Sequence, residues 1–185
     1  MNNSKIQRRM AALWSKKGLP PGVKIKKANE ADRLLARRLV YQEYKRRNYI
    51  KSVADLTRNP PDVTFVAVHC NKIVGTASLI GAGSCWGPEK CEITQFVVNK
   101  EYRKTSVAPH LIRRCAQYAI YRQKTAIRIR ISPSHETFYE AIGFCRISDN
   151  CPSRLIDEDM VVVMEIKITP ETRTAYPMRY ILGKQ

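Results

Sequence analysis

The stretch that most restricts what this chain can fold into is residues 91–119. A run rich in β-branched residues ends at Val98, a basic turn follows, and an apolar-periodic segment starts at once. Leu111, Ile112, Cys115, Ala116, Ala119 and Ile120 recur at helical spacing, and Pro109 is tolerated in a first turn, so the reading is strand, turn, helix. The free amides of a helix N-terminus, backed by the helix dipole, make an anion site. The turn residues Arg103, Lys104, Thr105, Ser106, Val107 and Ala108 are therefore candidates to hold a pyrophosphate, with Arg103 and Lys104 adding charge. Pro109 removes one amide donor, and the Cβ of Ser106 narrows the backbone approach.

The remaining pattern fills in around this unit. Residues 23–27 alternate and predict a first strand. Asn29 is an N-cap with Asp32 three residues on, and Leu34, Leu35, Leu39, Val40 and Tyr44 form a helical stripe to about Arg47. Residues 64–70 and 73–80 are β-rich and joined at Asn71-Lys72, which predicts a hairpin. A Gly-rich loop with Trp86 and Pro88 follows, then a strand over 91–98. Ile127, Ile129 and Ile131 mark a strand over 126–131, and a short helix over 136–142 stops at Gly143. In a last strand over 160–168, Ile166 and Ile168 face one way and Glu165 and Lys167 the other. Strands interleaved with helices in this order predict a mixed αβ sheet protein of the α+β kind.

Charge and cysteines bear on partners. The chain carries 33 Lys and Arg against 16 Asp and Glu, a net +17, which attracts polyanions such as nucleic acid, anionic lipid, acidic carrier proteins or phosphorylated cofactors. Residues 1–27 hold eight basic residues and no acid, and Ile6, Met10, Leu13 and Trp14 share a helical face. Residues 1–22 are read as a basic arm able to touch a membrane surface, nucleic acid or the domain itself. Residues 23–168 are read as the domain, and 169–185 as an extension with Tyr176, Tyr180 and Ile181. Six cysteines without a Cys-x-x-Cys pair read as reduced thiols of a cytoplasmic protein, and their spacing does not suit zinc, so no metal is expected. No apolar run approaches the roughly 20 residues of a membrane span.

The turn Arg103-x-x-Ser106-x-Ala108 resembles the acyl-CoA pyrophosphate loop of the GNAT superfamily, Arg/Gln-x-x-Gly-x-Gly/Ala, departing from it at Ser106. Phe138-Tyr139 ahead of Gly143-Phe144 resembles the GNAT ending, and residues 64–68 followed by 73–77 resemble its central hairpin. The resemblance covers about residues 23–168. It implies a central, mostly antiparallel twisted sheet flanked by helices, and an acyltransferase using acyl-CoA or acyl carrier protein as donor. Residues 39–44, 75–80 and 92–96, with Pro133-Ser134-His135, also look like the N-acyl amino acid synthases. Glu92 to Phe96 is similar to the Glu-Leu-Ser-Arg-Phe motif of the acyl-homoserine-lactone synthases, with Gln95 in place of the Arg. The loop 81–90 is shorter than the acidic insertion expected of amino acid synthases.

Amine acylation needs a neutral amine, a polarised thioester carbonyl and a proton for the leaving thiolate. Glu92, a lone acid in a β-rich run, is the candidate base, and alternation puts it on one face with Thr94, Phe96 and Val98. By the resemblance, Tyr139 is the candidate acid. Phe96, Val97 and Val98 would meet the thioester and pantetheine, and Tyr41 and Tyr44, near Glu43, would line the acceptor pocket. His135 reads as a surface residue at a helix start. Two other functions fit the same residues. One is a GNAT-like enzyme acting on nucleic acid, of the Mom type, or on protein lysine, with Arg113, Arg114, Arg122, Arg128 and Arg130 tracking phosphates. The other is a non-catalytic binding module on the same scaffold, motivated by Ser106.

Overall fold

A computed structural model describes residues 18–46, 60–81, 86–147 and 162–169. Most of the basic arm and of the C-terminal extension lies outside these residues. The described elements are β1 (Lys24–Lys27), α1 (Glu30–Arg46), β2 (Val63–His69), β3 (Lys72–Ile80), β4 (Lys90–Val98), α2 (Val107–Tyr121), β5 (Ala126–Ile131), α3 (Glu136–Ala141), β6 (Cys145–Arg146) and β7 (Val162–Lys167). The strands form one sheet in the order β1-β2-β3-β4-β5-β7-β6. Every neighbouring pair is antiparallel except β4 and β5, the two that α2 connects. A parallel pair needs such a crossover, so the strand–turn–helix stretch sets where the sheet changes direction.

Local chemistry explains the boundaries. Asn29 Oδ1 accepts the Asp32 amide at 2.8 Å and Asp32 Oδ2 accepts the Asn29 amide at 3.1 Å, a reciprocal cap that starts α1. The β2–β3 hairpin turns at Cys70 and Asn71, both with positive φ (47° and 61°), one residue earlier than expected. Left-handed backbone at both central positions matches the twist of the flanking strands. Ile166 and Ile168 face the core while Glu165 pairs with Arg128, as alternation in β7 requires.

The two faces of the sheet carry different helices. On one face Phe65, Ala77, Leu79, Ile93, Ile127 and Ile129 pack with Leu111, Ile112 and Cys115 of α2 into the main core. On the other, Val66 packs with Ala28 and Ala36, and Val97 packs with Val40, both under α1. At Gly75 a Cβ would meet Leu111 at 3.1 Å and Val107 at 3.3 Å, so the glycine lets the start of α2 lie against β3. This contact fixes the basic turn beside the end of β4.

Candidate active site

Three features converge where β4 leaves β5. First, the parallel ladder runs only from Lys90 opposite Ala126 to Ile93 opposite Ile129. Residues 94–98 have no β5 partner in that register. Secondly, the β3–β4 register jumps between Thr76 opposite Val97 and Ser78 opposite Thr94. Two residues of β4, Gln95 and Phe96, thus stand opposite Ala77, and Gln95 takes φ +49°. This bulge overturns the strand-face expectation for Glu92. Beyond it the alternation slips by one, so Phe96 and Val98 pack toward the α2 core while Val97 turns to α1. Glu92 and Phe96 therefore lie on opposite faces. Gln is not a residue type that announces left-handed backbone, so the sequence carried little sign of the bulge.

Thirdly, Glu92 is buried and held. Trp86 Nε1 donates to Glu92 Oε2 at 2.8 Å, and Arg130 Nη2 reaches the same oxygen at 3.3 Å. Burial pushes the Glu92 carboxyl above the usual carboxylate range, opposed by Arg130, by the Trp86 hydrogen bond and by Arg128. Arg128 is itself buried, pairs with Glu165 at 2.6 Å, and lies 4.3 Å from the Trp86 ring centre. Trp86, Arg128 and Arg130 were not read from sequence as partners of Glu92. The available signal was two arginines alternating with isoleucine in β5, on the strand next to a lone acid. The five arginines proposed as a phosphate track do not form one surface. Arg128 and Arg130 alternate with Ile127, Ile129 and Ile131 of the core and so face away from α2, where Arg113 and Arg114 sit.

Tyr139 is on α3 and is buried. Its ring meets Phe96, Phe138 and Phe144 edge-on, with centroids 6.4, 5.0 and 5.7 Å away. Burial raises its phenol well above the ordinary value, and the nearby Tyr44 phenol adds to the push. Tyr44 and Tyr41 pack beside Val40 and Val97, with Tyr41 under the Lys45 ammonium at 5.6 Å. Of the two, Tyr44 is the one brought toward Tyr139. His135 is exposed, with Ser134 Oγ 3.4 Å from its Nδ1.

The basic turn has its own geometry. Lys104 has φ +63°, and among the described residues the amides of Lys104, Thr105, Ser106 and Ala108 donate to no acceptor. Left-handed backbone among amides that donate to no described acceptor forms a nest, a geometry able to receive an anion at the start of α2. Thr105 Oγ1 donates to Tyr102 O at 2.6 Å and accepts the Val107 amide. Ser106 has an ordinary φ of −77° and its hydroxyl donates to Gly18 O at 2.7 Å, away from the nest. Arg103 is committed elsewhere: Nη2 donates to Glu43 Oε2 at 2.7 Å and Nε to Val98 O at 3.1 Å. This corrects its reading as a free phosphate cation.

A strand that parts from its parallel neighbour, over a nest at a helix start, matches a known family model. The model described as acetyltransferase (GNAT) domain matches residues 36–164. The chain belongs to the GNAT acetyltransferase family. It is accordingly an acyltransferase, and the family's general donor is acyl-CoA. Solved structures share the fold of this GNAT enzyme. FeeM, an N-acyl amino acid synthase from uncultured soil microbes, is 20% identical, with TM-score 0.70 over 87% of this chain and 99% of that one. An acetyltransferase from Streptococcus agalactiae is 17% identical, with TM-score 0.63 over 80% of this chain and 100% of its own. Ard1 from Thermoplasma volcanium is 17% identical, with TM-score 0.63, covering 80% and 99%. No curated protein sequence matches the enzyme. No described helix is long and apolar enough to cross a membrane.

Proposed function

We propose that the enzyme transfers an acyl group from a pantetheine thioester, on CoA or on an acidic acyl carrier protein, to a small amine such as an amino acid. The observation that carries this reading is the parting of β4 from β5 at Ile93 and Ile129, with Glu92 buried on β4 and Tyr139 buried on α3 against Phe96. The open edge at Phe96, Val97 and Val98 is the place for the pantetheine and the thioester carbonyl. The free amides at Lys104, Thr105, Ser106 and Ala108 suit the pyrophosphate, and Val107 packs the turn against the core. Only the side chain of Arg103 is withdrawn from that role, since it braces the turn to α1.

Glu92 takes a proton from the incoming ammonium, and the neutral amine left behind attacks the thioester carbon. Its raised pKa suits a base working near neutrality. The C–N bond forms, the tetrahedral oxyanion collapses, and the C–S bond breaks. Tyr139 holds its proton throughout this pH range, donates it to the departing sulfur, and takes in its place the second proton that the acylated nitrogen sheds. The products are an amide and a free thiol, and no covalent enzyme intermediate is required. A net charge of +17 favours an acidic donor protein on electrostatic grounds. The Ser106 hydroxyl donates to Gly18 O, which leaves the neighbouring amides to a phosphate and supports the enzyme reading over a non-catalytic module on the same scaffold.

The test is native mass spectrometry with acetyl-, octanoyl- and palmitoyl-CoA, followed by thiol release with and without added amines. Adducts at one chain length, and release that requires an amine and falls about 10²–10⁴-fold in Glu92→Gln, support the reading. No adduct with any CoA ester or acyl carrier protein overturns it.

A further inference from the structure

On the α1 face of the sheet, a pocket is lined by Arg33, Arg37, Pro60, Pro61, Thr64 and Gln95. Arg33 and Arg37 are one turn apart on α1 and so project side by side. Neither guanidinium has an ion pair or hydrogen bond with any described residue. Of the helix's three acids, Asp32 pairs with Lys26 at 2.8 Å, Glu43 pairs with Arg46 and Arg103, and Glu30 forms no ion pair with either arginine. The pocket's polar side is built rather than incidental. Thr64 Oγ1 lies 2.9 Å from Ser78 Oγ, which donates to Gln95 Oε1 at 3.1 Å, and all three residues are buried. This chain of bonds fixes the side chain of the bulge residue against the arginines.

Position links the pocket to the reaction. Gln95 follows Glu92 by three residues, about 10 Å of extended strand, and Glu92 faces the same side of the sheet as Thr94. A guest seated at the arginines therefore lies on the base's side of β4, opposite Tyr139 and the α2 core. Two forked donors with no carboxylate paired to them among the described residues suit the planar or tetrahedral oxygens of an anion.

We infer that Arg33 and Arg37, with Gln95 as the inner wall, form an acceptor subsite for an anionic group, so that the amine acylated is one carrying a carboxylate or a phosphate. This rests on the acyl-transfer reading, and it narrows the acceptors to anionic amines. It assigns their recognition to the start of α1 rather than to Tyr41 and Tyr44.

Two measurements decide it. In the first, acylation rates are compared for α-amino acids against their carboxamides, and for phosphoethanolamine against ethanolamine. The wild type should prefer the anionic member of one pair by about 10- to 100-fold in kcat/KM, the range for hydrogen bonds to a charged group. That preference should fall to near one in Arg33→Gln/Arg37→Gln and to an intermediate value in Arg37→Lys. Which pair shows the preference tells carboxylate from phosphate. Equal rates in both pairs, or a preference untouched in the double variant, overturn the subsite while leaving acyl transfer intact. In the second, ¹⁵N-labelled protein is titrated with acetate and with inorganic phosphate, and the arginine Nε–Hε signals are followed. The Arg33 and Arg37 signals, assigned by their loss in Arg33→Gln and Arg37→Gln, should shift together with one anion. If no amine is acylated, the acyl-transfer reading has failed and this second arm still decides the subsite. Signals unmoved by either anion overturn it.

Discussion

Arg103, in the turn before α2, and Glu43, near the end of α1, meet at 2.7 Å across 60 residues of sequence. The same Arg103 donates to the Val98 carbonyl, so one guanidinium ties α1, the end of β4 and the anion nest together. Glu43→Gln should loosen this brace. The expected cost is about 1 kcal/mol, since the pair is partly exposed and screened, which is about 2–4 °C in Tm for a chain of this size. Burial works against the Glu43 carboxylate, but Arg46 and Arg103 hold its pKa below the ordinary value. A carboxylate depressed in the folded state stabilises above its unfolded pKa, and that contribution is lost as pH falls through the folded value. Thermal melts of wild type and variant should therefore differ at pH 7 and converge at low pH.

Arg130 should tune the base. Burial raises the Glu92 pKa, and Arg130 is the largest influence holding it down. On the proposed mechanism activity requires the carboxylate, so it should fall as pH drops through the Glu92 pKa of the free enzyme. Arg130→Met removes the opposing charge, and the acid limb of the kcat/KM profile should move to higher pH. Trp86→Phe, which deletes the 2.8 Å hydrogen bond, should move it the same way. A limb that stays in place in both variants would show that the titrating group is not Glu92.

Tyr139→Phe tests the donor to sulfur. The ring contacts with Phe96, Phe138 and Phe144 survive the change, so the fold should too. The expected loss is about 10²–10⁴-fold in kcat with donor KM little changed. A thioester of a more acidic thiol needs less help in leaving, so it should recover much of the loss. An equal loss with both thioesters would argue against Tyr139 at the sulfur.

What the sequence revealed was what is local. The Asn29–Asp32 cap and the alternation in β7 each depend on residues a few positions apart and are legible in the sequence alone, whereas α2 starts at Val107, two residues before the Pro109 that the pattern suggests. The hairpin was displaced by one residue because Cys70 adopts left-handed backbone that cysteine does not advertise. The site was less legible. Glu92 and Tyr139 stood out as residue types in context, but their surroundings depend on a bulge at Gln95 and on pairs such as Arg128–Glu165, 37 residues apart. Alternation carried past Gln95 put Phe96 on the wrong face, since one extra residue inverts every side chain after it.

Thr76 should yield stability. It is fully buried on β3, and its hydroxyl has no hydrogen-bond partner among the described residues. A buried polar atom without a partner costs about 1–3 kcal/mol, and valine has the same shape without it. Thr76→Val should raise the unfolding free energy by about 1 kcal/mol in urea melts, with the slope unchanged. A lower midpoint would mean that the hydroxyl has a partner in solution.

Ser106→Gly restores the residue the acyl-CoA loop pattern has at this position, and the structure predicts little benefit for donor binding. Ser106 already adopts φ −77°, which any residue takes without strain, and its hydroxyl points to the Gly18 carbonyl rather than into the nest. The substitution removes that 2.7 Å bond, which holds the chain before β1 against the turn. Glycine also adds conformational freedom to the unfolded chain. The variant should lose about 1 kcal/mol of stability while donor Kd, followed by titration calorimetry with acetyl-CoA, changes by less than about threefold. Tighter binding by tenfold or more would show that the serine side chain obstructs the phosphate site, contrary to the orientation seen here.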